Sequence, residues 1–189
     1  MVADIMILAL LRLGPKHGYD IKKRIERILQ QKGRMNTNLL YPALHRLEEM
    51  QAIERDVHEQ DGRPTKFVYR ITPIGERHLR ELIEQFGEAE AAKEDEFLVR
   101  LACFDLVDER TRLRILDQRR LALTQRLTRG KTIRAVWAED IDSPWIERIV
   151  SFGERRLREE LGWLEEIEKL AIDAPAEEPA RTNPGGLKL

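Results

Sequence analysis

A single cysteine, Cys103, among 189 residues excludes an intrachain disulfide and any cysteine-based zinc site, and the simplest setting for such a chain is a reducing cytoplasm. The N-terminal apolar run Ile5 to Leu11 lacks the basic flank and small-residue cleavage site of a signal peptide, and it falls far short of the roughly 20 residues of a membrane span. Metal and nucleophile chemistry find little to use. His58-Glu59 stands on an expected hairpin without the second histidine of an H-E-x-x-H site. Gly185-Gly186 follows no strand and opens no helix, so it is no phosphate loop. Cys103 sits among Leu101, Phe104 and Leu106, where a thiol behaves as a small buried hydrophobe. The expectation is a chain with no enzyme activity, no cofactor, no metal and no membrane partner.

The net charge of −1 conceals an asymmetry. Residues 1–80 hold 15 Lys plus Arg against 10 Asp plus Glu, and residues 81–189 hold 18 against 24, so the halves carry +5 and −6. An electrostatic footprint for a polyanion therefore belongs to the first half.

That half also has the clearer pattern. Asp4 is placed to cap a helix from Ile5 to Leu13 that Gly14-Pro15 terminates. A second helix, Gly18 to about Gln30, puts Ile21, Ile25, Ile28 and Leu29 on one face and Lys22, Lys23 and Arg27 elsewhere. A third begins near Thr37 or Asn38, with Leu40, Leu44 and Leu47 on one side and Asn38, Tyr41, His45 and Glu48 on the other. Pro42 lies past its first turn, where proline removes a helical hydrogen bond. Period two then replaces the helical period: Ile53, Arg55 and Val57 alternate with Glu54, Asp56 and His58. Phe67, Tyr69 and Ile71 likewise alternate with Lys66, Val68 and Arg70, across a turn at Asp61-Gly62-Arg63. Thr72-Pro73 opens a fourth helix, expected to run long and link the halves. Two amphipathic helices, about Asp108 to Arg129 and Ser143 to Ile172, dominate the second half.

The ordered elements Gly14-Pro15, His17-Gly18-Tyr19, Leu40-Tyr41-Pro42-Ala43-Leu44, Gly62-Arg63-Pro64 and Tyr69 before Ile71-Thr72 closely resemble PadR-type transcriptional regulators of the longer kind. The resemblance implies a mainly α fold: an N-terminal winged helix-turn-helix, with three helices and a two-stranded wing, then a helical dimerisation domain. It also supports Tyr-Pro inside the third helix. The expected division is 1–87 for DNA binding, 88–172 for dimerisation and effector response, and 173–189 as a disordered tail. Asn38 departs from the small residue common before Leu-Leu-Tyr in that family, which bears on the DNA sequence read.

Candidate DNA-binding residues are Lys22, Lys23, Thr37, Asn38, Tyr41, Arg63, Lys66 and Arg70. Thr37, Asn38 and Tyr41 stand where a recognition helix meets base edges, though they serve equally as caps and packing residues. Arg63 at the wing tip suits a narrow minor groove, and Lys66 and Arg70 share a strand face suited to phosphates. Trp137, Trp145 and Trp163 fit core and interface better than an effector pocket. A stripe from Ile146 and Ile149 to Leu164 and Ile167, helped by Leu113, Leu116, Leu123 and Leu127, is expected to pair two copies, with Gly153 permitting close helix approach. The resulting expectation is a homodimeric repressor of double-stranded DNA, responsive to a small-molecule effector. The alternative is a winged-helix protein-interaction module, for which Glu48 and Glu49 on the third helix speak.

Overall fold

The computed structural model describes residues 1–28, 37–58, 66–140 and 143–173, without the side chains of 28, 37–39, 57, 58, 66, 131 and 133–140. Two compact units emerge, Met1–Gln85 with Leu98–Cys103, and Phe86–Phe97 with Phe104–Leu189.

The first unit runs α1 (Val2–Arg12), β1 (Lys16–His17), α2 (Gly18–Ile28), α3 (Thr37–Glu49), β2 (Ile53–His58), β3 (Lys66–Ile71) and α4 (Pro73–Glu84). Apolar nearly all round, α1 is its central element, with Ile5, Ile7, Leu8 and Leu11 buried. It starts earlier than expected, so Asp4 is no cap but a buried first-turn carboxylate. That position suits an acid at a helix N-terminus, and Asp4 pairs there with Arg46 of α3 and with the Met1 amino group at 3.6 Å. Gly14 ends the helical segment at φ +109°, a conformation that side chains resist.

Strand order is β1-β3-β2, antiparallel throughout. Ile53 faces Ile71, Arg55 faces Tyr69 and Val57 faces Phe67, which are the two alternating sets read in the sequence. The third strand was not expected. β1 contributes two residues, Lys16 opposite Tyr69 and His17 opposite Val68, too few to display a period of two.

A compact junction joins α3, β2 and α4. Helix α3 ends in a Schellman turn: Ala52 N–H donates to Leu47 O at 2.8 Å and Gln51 N–H to Glu48 O at 2.9 Å. Gln51 takes the left-handed position at φ +56°, where glycine is usual. Thr72 caps α4, accepting from Gly75 N–H at 3.1 Å and donating its hydroxyl proton to Gln51 O at 2.7 Å. Its backbone N–H reaches Ala52 O at 3.1 Å. Gly75 is packed so closely that a Cβ there would lie 2.0 Å from Ala52 O. Helix α4 does not run on to link the halves. It stops at Glu84, and Glu90 reaches back to the Gly87 N–H at 3.1 Å to start a fresh short helix.

In the second unit α5 (Glu88–Ala91), the first turn of α6 (Glu94–Leu101) and a 3-10 turn at Phe104–Leu106 accompany two long helices, α7 (Glu109–Asp140) and α8 (Pro144–Asp173). The long helices are antiparallel: Arg112 donates to Ala171 O at 3.0 Å, and Arg119 to Glu160 at 2.7 Å. Arg112 and Arg119 are fully buried beside Ile115, Leu116, Leu123 and Leu164. Arg119 also donates to Ala91 O at 2.7 Å and lies 5.4 Å from the centre of the Phe97 ring, which packs edge-on against Trp163. Leu116, Leu123 and Leu164, expected to pair two copies, are instead core residues of this unit. Nothing within 4 Å meets a Cβ built on Gly153, so no helix of its own chain approaches it closely. Helix α8 extends through Asp173, and the expected disordered tail beyond lies outside the described residues.

Two substitutions at the junction should act in opposite directions. Gln51→Gly relieves a left-handed side-chain conformation and should raise unfolding free energy by about 0.5–1 kcal/mol. Gly75→Ala drives a methyl into a backbone carbonyl and should lower it by about 1–3 kcal/mol. Urea denaturation checks both. At the start of α7, Thr111 N–H donates to the Asp108 carboxylate at 2.8 Å, and the hydrogen bonds from Thr111 hold that carboxyl below its ordinary value of 3.8. Asp108→Ala should therefore cost about 1 kcal/mol at neutral pH. Because the folded-state value is depressed, this contribution is present above the unfolded value and disappears as pH falls through the folded one. Denaturation at stepped pH should show the wild-type advantage closing in that acid window.

Candidate nucleic-acid interface

Burial of Leu40, Ala43, Leu44 and Leu47 fixes which side of α3 is open to solvent. Tyr41, Pro42, His45 and Glu49 form that side. Pro42 has no N–H to offer the carbonyl four residues back, yet the helix continues through it. The start of α2 meets α3 at Gly18, where a Cβ would stand 3.3 Å from the Tyr69 ring and 3.9 Å from that of Tyr41. All three tyrosines of the chain thus gather near one point. Tyr69 is buried, Tyr41 is 48 % exposed, and Tyr19, next to Gly18, is 68 % exposed. Burial pushes the Tyr69 hydroxyl above its ordinary pKa, with Arg55 pulling the other way.

Alongside lie the cations of α2 and β1. Lys23, Arg24 and Arg27 are exposed, whereas Lys22 is half-buried, 3.9 Å from Glu26. Lys16 folds back onto the carbonyls of Leu13 and Gly14, at 3.4 and 3.1 Å. Its burial, then the charge of Arg24, lowers its pKa, while Asp20 opposes the shift.

Among the residues expected to meet DNA, Tyr41 lies beside the start of α2, and Lys22 and Lys23 stand on α2 itself, half-buried and exposed respectively. Thr37 and Asn38 are the first two residues of α3, and Lys66 opens β3; their side chains lie outside the described residues, as does the whole of Arg63. Arg70 is exposed but engaged, 3.0 Å from Asp56. Sequence reasoning passed over Tyr19, Arg24 and Arg55. The signal for Arg55 was a cation in the alternating strand set between Ile53 and Val57; Tyr19 was visible beside the glycine that opens α2.

The acidic end of α3 is also engaged within the unit. Glu48 holds Arg55 at 3.1 Å and Glu49 lies 3.4 Å from His45, so these carboxylates are satisfied locally, which weakens the argument for a protein-docking helix.

A helix pair meeting at an exposed basic and tyrosine-bearing corner, followed by an antiparallel strand pair and a closing helix, defines a winged helix-turn-helix, the fold of DNA-binding transcriptional regulators. The model of the transcriptional regulator PadR-like family matches residues 7–81. An uncharacterised protein of Lysinibacillus sphaericus is 31% identical over 86 residues, which are 45% of this chain and 78% of that one. A transcriptional regulator from Clostridium thermocellum is 32% identical over 43% of this chain and 79% of its own, with a TM-score of 0.40. Bacillus subtilis PadR, solved in complex with operator DNA, is 21% identical over 90% of this chain and 99% of its own, with a TM-score of 0.43. The chain belongs to the PadR-like family of transcriptional regulators.

The Asp56 carboxylate neutralises a cation on the strand face expected to lie near phosphates. Asp56→Asn should release Arg70 and raise affinity for any duplex, without changing the preference among sequences. Fluorescence anisotropy on two unrelated duplexes measures this, and equal affinities of variant and parent would show that Arg70 stays clear of DNA.

Proposed function

We propose that this chain is a repressor that binds a near-palindromic operator as a homodimer and leaves it when a small effector binds. The observation that carries the reading is the start of α2 at Gly18, beside the exposed Tyr41 of α3, on a helix whose Tyr19, Lys23, Arg24 and Arg27 are all exposed. Cations there neutralise phosphates, and the first turn of α3, with Thr37, Asn38 and Tyr41, enters the major groove. Arg63, Lys66 and Arg70 extend the contact along the wing.

Pairing of two copies is supported by Trp145, Ile149 and Phe152, which lie at helical spacing on α8 and are each at least 60 % exposed. An apolar stripe of this kind calls for cover, and a second copy covers it symmetrically, presenting two reading helices about 34 Å apart, one DNA turn. For the effector, the second unit has a cleft of about 390 Å³ between α7 and α8, lined by Arg126, Leu127, Val150, Phe152, Gly153 and Leu157 among others. That volume is within the range of small-ligand sites. Effector binding there would change the angle between the long helices and thus the spacing of the reading heads. No helix among the described residues is long and apolar enough to cross a membrane.

Selection of bound fragments from a random duplex library, followed by anisotropy against salt, tests the whole reading. Symmetric half-sites should emerge, and log affinity should fall linearly with log salt at about −0.9 per phosphate neutralised. A slope near zero, or no enrichment, would reject DNA binding. Replacing Trp145, Ile149 and Phe152 together by serine should halve the mass in solution and weaken operator binding strongly. An unchanged mass would place the pairing surface elsewhere.

A further inference from the structure

Arg55 is the one cation in the alternating set Ile53, Arg55 and Val57 of β2, and three groups from two other elements surround its half-exposed guanidinium. Glu48 of α3 forms an ion pair with it, Oε1 standing 3.1 Å from Nε. The ring of Phe67 on β3 lies 4.9 Å below its central carbon. Tyr69 stands directly opposite it in the strand register, with its side chain on the same face of the pair. A planar guanidinium can satisfy a carboxylate and an aromatic face at once, which a lysine ammonium cannot do in the same geometry.

The placement gives the arrangement its meaning. β2 and β3 are joined to α3 at the junction end by the Gln51–Ala52 turn and by Thr72. Further along the strands, the side of the pair that faces α3 carries Arg55, and Glu48 is the α3 residue it holds. Tyr69, one member of this cluster, is also the residue whose ring lies against Gly18 beside Tyr41. One guanidinium therefore ties the strand pair to the helix at a second point, next to the exposed corner, and a hinge pinned at two points has a fixed angle.

We propose that Arg55 is a positioning residue for operator recognition: through Glu48, Phe67 and Tyr69 it fixes the angle between the strand pair β2–β3 and the reading helix α3. The proposal rests on the DNA-binding reading above. Arg55 need not touch DNA, since its effect is to let helix and strands engage adjacent grooves of one duplex simultaneously. Losing that register should reduce binding to a selected operator more than binding to random duplex, because only the former depends on both elements being in place.

The test uses the full chain with Arg55→Lys, which keeps the charge, and Tyr69→Phe, which removes only the hydroxyl. Affinities are measured for a selected operator and for random duplex, with hydroxyl-radical footprints and thermal unfolding of each variant. Arg55→Lys is expected to fold and to lower the ratio of operator to random affinity by about tenfold. Its footprint should lose the flank protected by the strand pair and keep the major-groove centre. Tyr69→Phe should shift both readouts in the same direction but less, and Glu48→Gln combined with Arg55→Lys should be no worse than Arg55→Lys alone. A folded Arg55→Lys chain with the parental ratio and footprint would overturn the proposal. So would a loss of both footprint regions in step with a lowered unfolding temperature, which would make Arg55 a general stabiliser. If the parent itself shows no DNA binding, the failure is that of the DNA-binding reading, and the footprint is blank for every form.

Discussion

Everything in the first unit is hung on the few atoms where α3 gives way to β2. The carbonyls of Gln51 and Ala52 accept from Thr72, and Gly75 leaves room for the helix behind it. Thr72 thus meets the end of α3 through its hydroxyl, the start of β2 through its backbone N–H, and caps α4, so one residue holds three elements together. Each of those links depends on backbone groups that would otherwise be buried without partners, which is a larger penalty than any single apolar contact there contributes. The left-handed residue at the turn is glutamine and not glycine, so the junction holds a strained position by virtue of the bonds on either side of it.

Charge is handled differently in the two units. In the first, three carboxylates are matched to an arginine from another element: Asp4 with Arg46, Glu48 with Arg55, Asp56 with Arg70. Such pairs contribute little stability at an exposed site, but they fix which way long side chains lie. The exposed cations Lys23, Arg24 and Arg27 stand together on α2. Three arginines go inward, one in the first unit and two in the second: Arg100 donates to Gln85 O, and Arg112 and Arg119 donate to backbone carbonyls and to Glu160, joining α7 to α8 and to Ala91.

Much of the first unit was legible because its periods are local. The switch from Leu40-Leu44-Leu47 to Ile53-Arg55-Val57 marks helix and strand without reference to distant residues, and Thr72-Pro73 announces its helix by capping chemistry alone. What the sequence hid is what depends on partners. The two residues of β1 form a strand only because β3 lies beside them. Asp4 lies inside the first turn because α1 begins at Val2, where it meets its distant partner Arg46, and the break after α4 is followed by Glu90 reaching back to Gly87. In the second unit, Arg112 and Arg119 sit in a stretch so rich in charge that nothing local separates a solvated arginine from a buried one. The same blindness misassigned Leu116, Leu123 and Leu164, whose helical spacing serves an intrachain core and a second copy equally well. For the site, the α2–α3 corner was readable as a place, but the engagement of Arg70 by Asp56 and the convergence on Arg55 were not.

The buried arginines between α7 and α8 give that helix pair a thermal character that purely aliphatic packing does not share. Hydration of an ion becomes less favourable on heating, so the penalty for keeping Arg112 and Arg119 dry shrinks as temperature rises, while the gain from burying Ile5, Ile7 and Leu8 levels off. Cohesion based on guanidinium-to-carbonyl bonds thus weakens more slowly with heat than cohesion based on methyl groups.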